Sequence, residues 1–116
     1  MNNPLRGEVW WVNFDPTVGA EIQKCRTAVV ISQDFIGRLP LRIVVPITGW
    51  DARYAANPWM VRLGSSKENG LSKESTADTF QIKSVSLDRF SSKLGDLSRE
   101  RLEEICAAIQ LCIGAI

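Results

Sequence analysis

Two side chains of this 116-residue sequence sit where a reactive group is both held and reachable. Arg26 stands where a long polar loop re-enters a hydrophobic run, and Thr48 stands where another such run ends in a turn. An arginine beside the apolar TAVVIS segment (residues 27–32) needs a counter-charge or a ligand. Its guanidinium is planar, permanently charged and able to donate two parallel hydrogen bonds to an oxyanion such as a phosphate. Glu21 is the nearby candidate for a base. An ion pair with Glu21 or Asp15 is the competing use of Arg26, and a turn-capping hydroxyl is the competing use of Thr48. The chain has no histidine, so its chemistry must proceed without the usual neutral-pH acid and base.

The aromatic residues divide by context. Trp10 and Trp11 lie in a strand so apolar that they are assigned to the core. Trp50, Tyr54 and Trp59 flank a polar loop and are the better candidates for stacking on a ligand ring. Gln81, on the polar face of a strand, either faces solvent or offers its amide to a base edge. No P-loop, nucleophile elbow or carboxylate cluster with metal-ligand spacing is present.

Composition narrows the class. At 45% hydrophobic content and 116 residues the chain is expected to form one packed domain, residues 1–116. No run approaches the roughly 20 apolar residues that span a bilayer, and residues 1–7 lack the features of a signal peptide. The cytoplasm is the expected location. Three cysteines fit poorly with a disulfide framework. Cys106 and Cys112, six positions apart on a predicted helix, are separated by a rise of about 9 Å, too far to bridge. No metal or other cofactor is expected, because Cys25 is remote from that pair and histidine is absent. A net charge of +1 does not exclude local asymmetry, and Arg6, Lys24, Arg26, Arg38, Arg42 and Arg53 dominate their surroundings in the first half.

The elements that must position these groups follow from periodicity. Strands are predicted over residues 8–14, buried on both faces, and over 27–32, 41–47, 59–63, 76–85 and 90–94. Pro46 is expected to mark an edge or an end of the third strand. In the fifth, Phe80 and Ile82 should share one face, with Gln81 and Lys83 on the other. A turn is expected over 35–40, an irregular helical turn over 50–58 and an exposed connection over 64–74. The last element is a helix that Ser98 caps and Leu97 staples to Leu102, with an apolar stripe at Leu102, Ile105, Cys106, Ile109, Cys112 and Ile113. Short antiparallel strands closed by one terminal helix point to a mainly β fold, a small, partly open barrel of SH3-like type.

Several ordered blocks resemble one family. RGEVWW (residues 6–11), FDPTVGAE (14–21) and KCRTAVV (24–30) are similar to the N-terminal motif of the MazF/PemK family of toxin endoribonucleases. VVPITGW (44–50) and GLSKESTADTFQIKSV (70–85) resemble two further blocks of that family. The resemblance implies the barrel shared by MazF, PemK and CcdB, a homodimer, and metal-independent, sequence-specific cleavage of single-stranded RNA. It also implies a cognate antitoxin protein as partner. By the same resemblance the catalytic arginine falls on Arg26, the catalytic hydroxyl on Thr48 and the loop acid on Glu21. RNA contacts fall on Ala20, Lys24, Trp50, Thr79, Gln81 and Lys83. The chain departs from the pattern at Ala20, where Ser is common, at Cys25, where Thr is frequent, and at Thr27, where Pro usually follows the arginine. Two other readings use the same barrel: a noncatalytic protein-binding toxin like the gyrase poison CcdB, and an RNA-binding barrel with an impaired site.

Overall fold

The structure, a computed structural model, describes residues 2–36 and 39–115. Gly37 and Arg38, part of the turn expected over 35–40, lie outside the described residues. Three strands rich in aromatic and β-branched side chains come first: β1 (Glu8–Asn13), β2 (Cys25–Val30) and β3 (Leu41–Gly49). They pair antiparallel, β1 with β2 and β2 with β3. β4 (Met60–Leu63), β5 (Ser75–Asp78), β6 (Lys83–Ser86) and β7 (Phe90–Asp96) complete one sheet, and α1 (Arg99–Ile113) ends the chain. The path runs β4-β5-β3-β2-β1-β7, with β6 also on β3, and does not close, so the sheet is a partly open barrel. Among the described residues no helix is long and apolar enough to cross a membrane.

Alternation along the central strands feeds two cores. Val9, Val29, Val45 and Ile47 pack in one, which Ile105 and Ala108 of α1 cover. Trp10, Val12, Ala28, Val30 and Val44 pack in the other, together with Phe14, Val85 and Phe90. Both faces of these strands are therefore buried, which is why they read as nearly continuous apolar runs. Trp11 is the exception: it keeps the parity of Val9 yet is 41% exposed, contrary to its assignment to the core.

Pro46 is central rather than at an edge. It faces Ala28 of β2, and on its other side it falls between the residues of β3 that pair with β6 (41–44) and those that pair with β5 (47–49). Its missing N–H thus costs no ladder bond there. The same gap explains why the strand expected over 76–85 is split. Ile47 pairs with Ala77, so an unbroken register would set Val44 opposite residue 80, whereas it pairs with Lys83. A 3₁₀ turn at Thr79–Gln81 takes up the three extra residues and leaves Phe80 67% exposed instead of inward with Ile82.

Ser98 caps α1, accepting from the Arg101 N–H, and Gly114 ends it in the left-handed conformation. The buried stripe includes Ala108 and omits Ile113, which is 67% exposed. The connection over 64–74 is also not free. The Asn69 side chain, buried, accepts from the Ser66 and Leu71 amides and donates to the Gly64 carbonyl. Gly70 lies at φ +70, where a Cβ would stand 2.3 Å from the Leu94 carbonyl oxygen. The loop is thereby locked onto β7.

Two outcomes follow for stability. Gly70→Ala should cost about 2 kcal/mol or more, because it combines a strained φ with a backbone collision; chemical denaturation measures it. Burial alone would raise the Glu8 carboxyl, but the Leu5 amide, the Trp10 indole N–H and Lys93 outweigh it and hold the group below the usual carboxylate range. A depressed carboxyl contributes stability above its unfolded pKa and loses that contribution as the pH falls through its folded one. The melting temperature of Glu8→Gln should therefore decline less steeply than that of the wild type in acid below about pH 4.5.

Candidate active site

The register of β2 on β3 builds the site. Thr27 pairs with Ile47, and one step further along the same register sets Arg26 opposite Thr48. Residues opposite one another on adjacent strands project to the same face, so the loop re-entry and the strand end meet. Both line a cleft of ≈ 390 Å³. Its floor and walls come from Trp11, Thr27 and Ile47, which form one row across β1, β2 and β3, and from Leu71 to Lys73 of the locked loop. Ser75, Leu94 and Cys25 complete it.

Charge is sorted around this cleft. Of the basic residues that dominate the first half, Arg42 is buried and donates to the Pro4, Leu39 and Leu41 carbonyls. Arg6 donates to the Ile31 carbonyl and reaches the Cys106 sulfur, and Arg53 pairs with Asp51 at 3.1 Å. Arg26 takes part in none of the ion pairs among the described residues; its Nε donates to the Gln23 carbonyl at 3.3 Å. The expected alternative, a salt bridge to Glu21 or Asp15, is not formed. Among the described residues the cleft is lined by two cations, Arg26 and Lys73, several hydroxyls and no carboxylate. Such a site selects an anion.

The flap before Arg26 is pinned by backbone hydrogen bonds. The Gln81 side chain accepts from the Ile22 N–H at 2.6 Å and donates to the Ala20 carbonyl at 3.2 Å. At the other end, the Asp15 carboxylate accepts from the amide of Lys24, which lies at φ 68, and the Lys24 carbonyl accepts from Phe14. Arg89 donates to the Asn13 and Asp15 carbonyls beneath. Glu21 closes a small turn by accepting from the Val18 amide at 2.7 Å. It lines a separate groove with Ala20, Gln81 and Lys83, so the structure does not bring this proposed base to the Arg26 cleft.

Residues 5–113 match the model of the PemK-like, MazF-like toxins of type II toxin-antitoxin systems. The chain belongs to this family. It is 33% identical to the endoribonuclease MazF9 of Mycobacterium tuberculosis (strain ATCC 25618 / H37Rv), over 91% of this chain and 92% of that one. It is 34% identical to the endoribonuclease toxin MazF of Escherichia coli (strain K12), over 96% and 95% of the two chains. The crystal structure of MazF from Deinococcus radiodurans shares the fold with a TM-score of 0.83 at 23% identity, covering 98% of this chain and 99% of that one.

Of the positions that the MazF/PemK resemblance singles out, the structure brings Arg26 and Thr48 together and distributes the rest. Thr79 is fully buried and its hydroxyl donates to the Trp59 carbonyl at 2.7 Å, which removes it from any surface contact. Gln81 spends its amide on the flap. Lys24 is exposed at the base of the flap, and Lys83 lines the neighbouring groove. Trp50 has the Arg62 guanidinium 4.5 Å from its ring centre and Tyr54 at its edge, so part of its π surface is already used. Two cleft residues escaped sequence reasoning. Trp11 was hidden by its apolar neighbours, whereas Lys73 had a signal, its place in the GLSKES block.

The clamp predicts a measurable coupling in this MazF/PemK fold. Gln81→Ala should speed hydrogen exchange at the Ile22 amide about fivefold, the worth of roughly 1 kcal/mol of hydrogen bonding, with little change in global stability. Unchanged exchange at Ile22 would show that the flap is held by something else.

Proposed function

We propose that this chain is the toxin of a type II toxin-antitoxin system and an endoribonuclease that cuts single-stranded RNA in the Arg26–Thr48 cleft. The observation that carries this reading is a cleft whose only charges are cations, flanked by an exposed indole and lined with hydroxyls. A phosphodiester matches the cations and a base matches the indole. Family membership and relatives that are themselves endoribonucleases support the same reading.

The reaction needs no histidine or metal if the RNA supplies its own nucleophile. The 2′-oxygen bonds to the adjacent phosphorus while the P–O5′ bond breaks, giving a 2′,3′-cyclic phosphate and a 5′-hydroxyl. The 2′-proton passes to solvent, and the 5′-oxygen takes a proton from Arg26 or from water. Arg26 stabilises the charge that develops on the phosphorane oxygens, and Thr48 orients the phosphate. Trp11 offers a stacking face beside them.

The reading extends to partners. A Mycobacterial endoribonuclease of the same fold, with a TM-score of 0.76 at 18% identity over 97% of both chains, is known in complex with its cognate antitoxin. A cognate antitoxin is the corresponding partner here, in the cytoplasm, where the three free thiols stay reduced. The working form is a homodimer of single 1–116 domains. The unpaired edge of β4 and the adjoining face of α1, which border a groove of ≈ 810 Å³ lined by Met60, Ala107 and Leu111, suit that contact.

A defined single-stranded RNA incubated with the protein in EDTA tests the activity. Arg26→Ala should cut at least about a hundredfold more slowly than the wild type, and Thr48→Ala should also be impaired. A substrate lacking only the scissile 2′-hydroxyl should bind and remain intact. Cleavage of that substrate, or full activity in Arg26→Ala, would overturn the mechanism, and binding without cutting by the wild type would leave an RNA-binding barrel.

A further inference from the structure

We propose that Lys73 is a second phosphate ligand, holding the scissile phosphodiester in the cleft that it shares with Arg26. This rests on the ribonuclease reading above and adds to it a group outside the Arg26–Thr48 pair. Lys73 lines the same cleft as both. Its side chain lies against Gly49, the residue after Thr48: a methyl group on Gly49 would stand 3.2 Å from both Cε and Nζ. Glycine at 49 thus makes room for the ammonium at the strand end that carries Thr48.

The ammonium is free to act on a ligand. Lys73 takes part in none of the ion pairs among the described residues. The adjacent carboxylate, Glu74, faces the β4-α1 groove instead and pairs with Arg62 at 2.9 Å. The backbone that carries Lys73 is fixed, since the Ser75 hydroxyl donates to the Lys73 carbonyl at 2.8 Å and the Trp50 amide donates to the Glu74 carbonyl at 3.0 Å. The nearby lock of Gly70 on Leu94 holds the start of the segment.

The chemistry calls for such a group. As the 2′-oxygen bonds to phosphorus and before the P–O5′ bond has broken, the phosphoryl oxygens carry more negative charge than the ground-state diester. One guanidinium can engage two of those oxygens edge-on. A lysine, a compact point charge on a flexible stem, complements it from the other side without a planar constraint. Together with Thr48 in the same cleft, Arg26 and Lys73 form a dicationic pair whose attraction rises as the phosphorane forms.

The test compares Lys73→Ala and Lys73→Arg with the wild type. Single-turnover cleavage at saturating RNA should fall about 30-fold in Lys73→Ala, and Lys73→Arg should recover most of it. Binding of the RNA that lacks the scissile 2′-hydroxyl should lose about 0.7 from its log K against log salt slope in Lys73→Ala, the share of one phosphate contact on a single strand. Gly49→Ala, which displaces the ammonium, should slow cleavage in the wild type and have no further effect in Lys73→Ala. Equal cleavage by Lys73→Ala and the wild type would overturn this assignment alone. A loss confined to KM would also overturn it, by moving Lys73 to a flanking phosphate. A wild type that neither binds nor cuts RNA would remove the parent reading as well.

Discussion

The antiparallel pairing of β2 with β3 is the constraint on which the site depends. Arg26 meets Thr48 only in the register that pairs Thr27 with Ile47. A slip of one residue would turn every side chain of β2 to the opposite face. That slip is prevented far from the site, because Val29 and Val45 fill one core while Ala28, Val30 and Val44 fill the other. Burying each valine is worth about 1.5–3 kcal/mol, so exposing even two of them outweighs what a surface arginine gains from any one contact. The geometry of the cleft is thus inherited from packing.

The same economy governs charge. A chain of net charge +1 has no excess of cations to spread over its surface. Arg42 and Arg6 are consumed by backbone carbonyls, and Arg53, Arg62, Arg99 and Arg101 by carboxylates. Among the described residues, Arg26 and Lys73 in the cleft, and Lys24 and Lys83 at the flap and its groove, take part in no ion pair. Local electrostatics therefore point to an anionic ligand even though the whole-chain sum does not.

The fold was legible in the sequence wherever local pattern and tertiary demand agree. The terminal helix, its Ser98 cap and the three central strands follow from periodicity and turn chemistry alone. Pro46 misled because its effect depends on where two partner strands change over, and no local window shows that. The alternation over 76–85 hid a 3₁₀ turn for the same reason, since the three-residue register offset belongs to β3. In the site, Arg26 and Thr48 were legible from their places at strand ends. Trp11 was not, because exposure of an indole in an apolar strand is decided by tertiary packing that no local window shows. Gln81 and Glu21 were singled out by the resemblance, and what no local window shows is that their side chains bond to the flap's backbone.

The three departures from the family motif can now be weighed by what each position holds. At Ala20 the group that Gln81 grips is the carbonyl, so a missing side-chain hydroxyl leaves the clamp intact. Thr27 joins the ladder opposite Ile47, and its hydroxyl donates to the Ile47 carbonyl at 3.4 Å, tying to β3 the backbone that a proline would have stiffened. Cys25 is exposed on the cleft wall, where its thiol replaces a hydroxyl as lining. None of the three removes the valine packing that fixes the register of β2 on β3, and Thr27 adds a hydrogen bond to it. On the ribonuclease reading proposed above, the departures at Cys25 and Thr27 change the lining of the cleft, and so would bear on which RNA fits rather than on the alignment of Arg26 with Thr48.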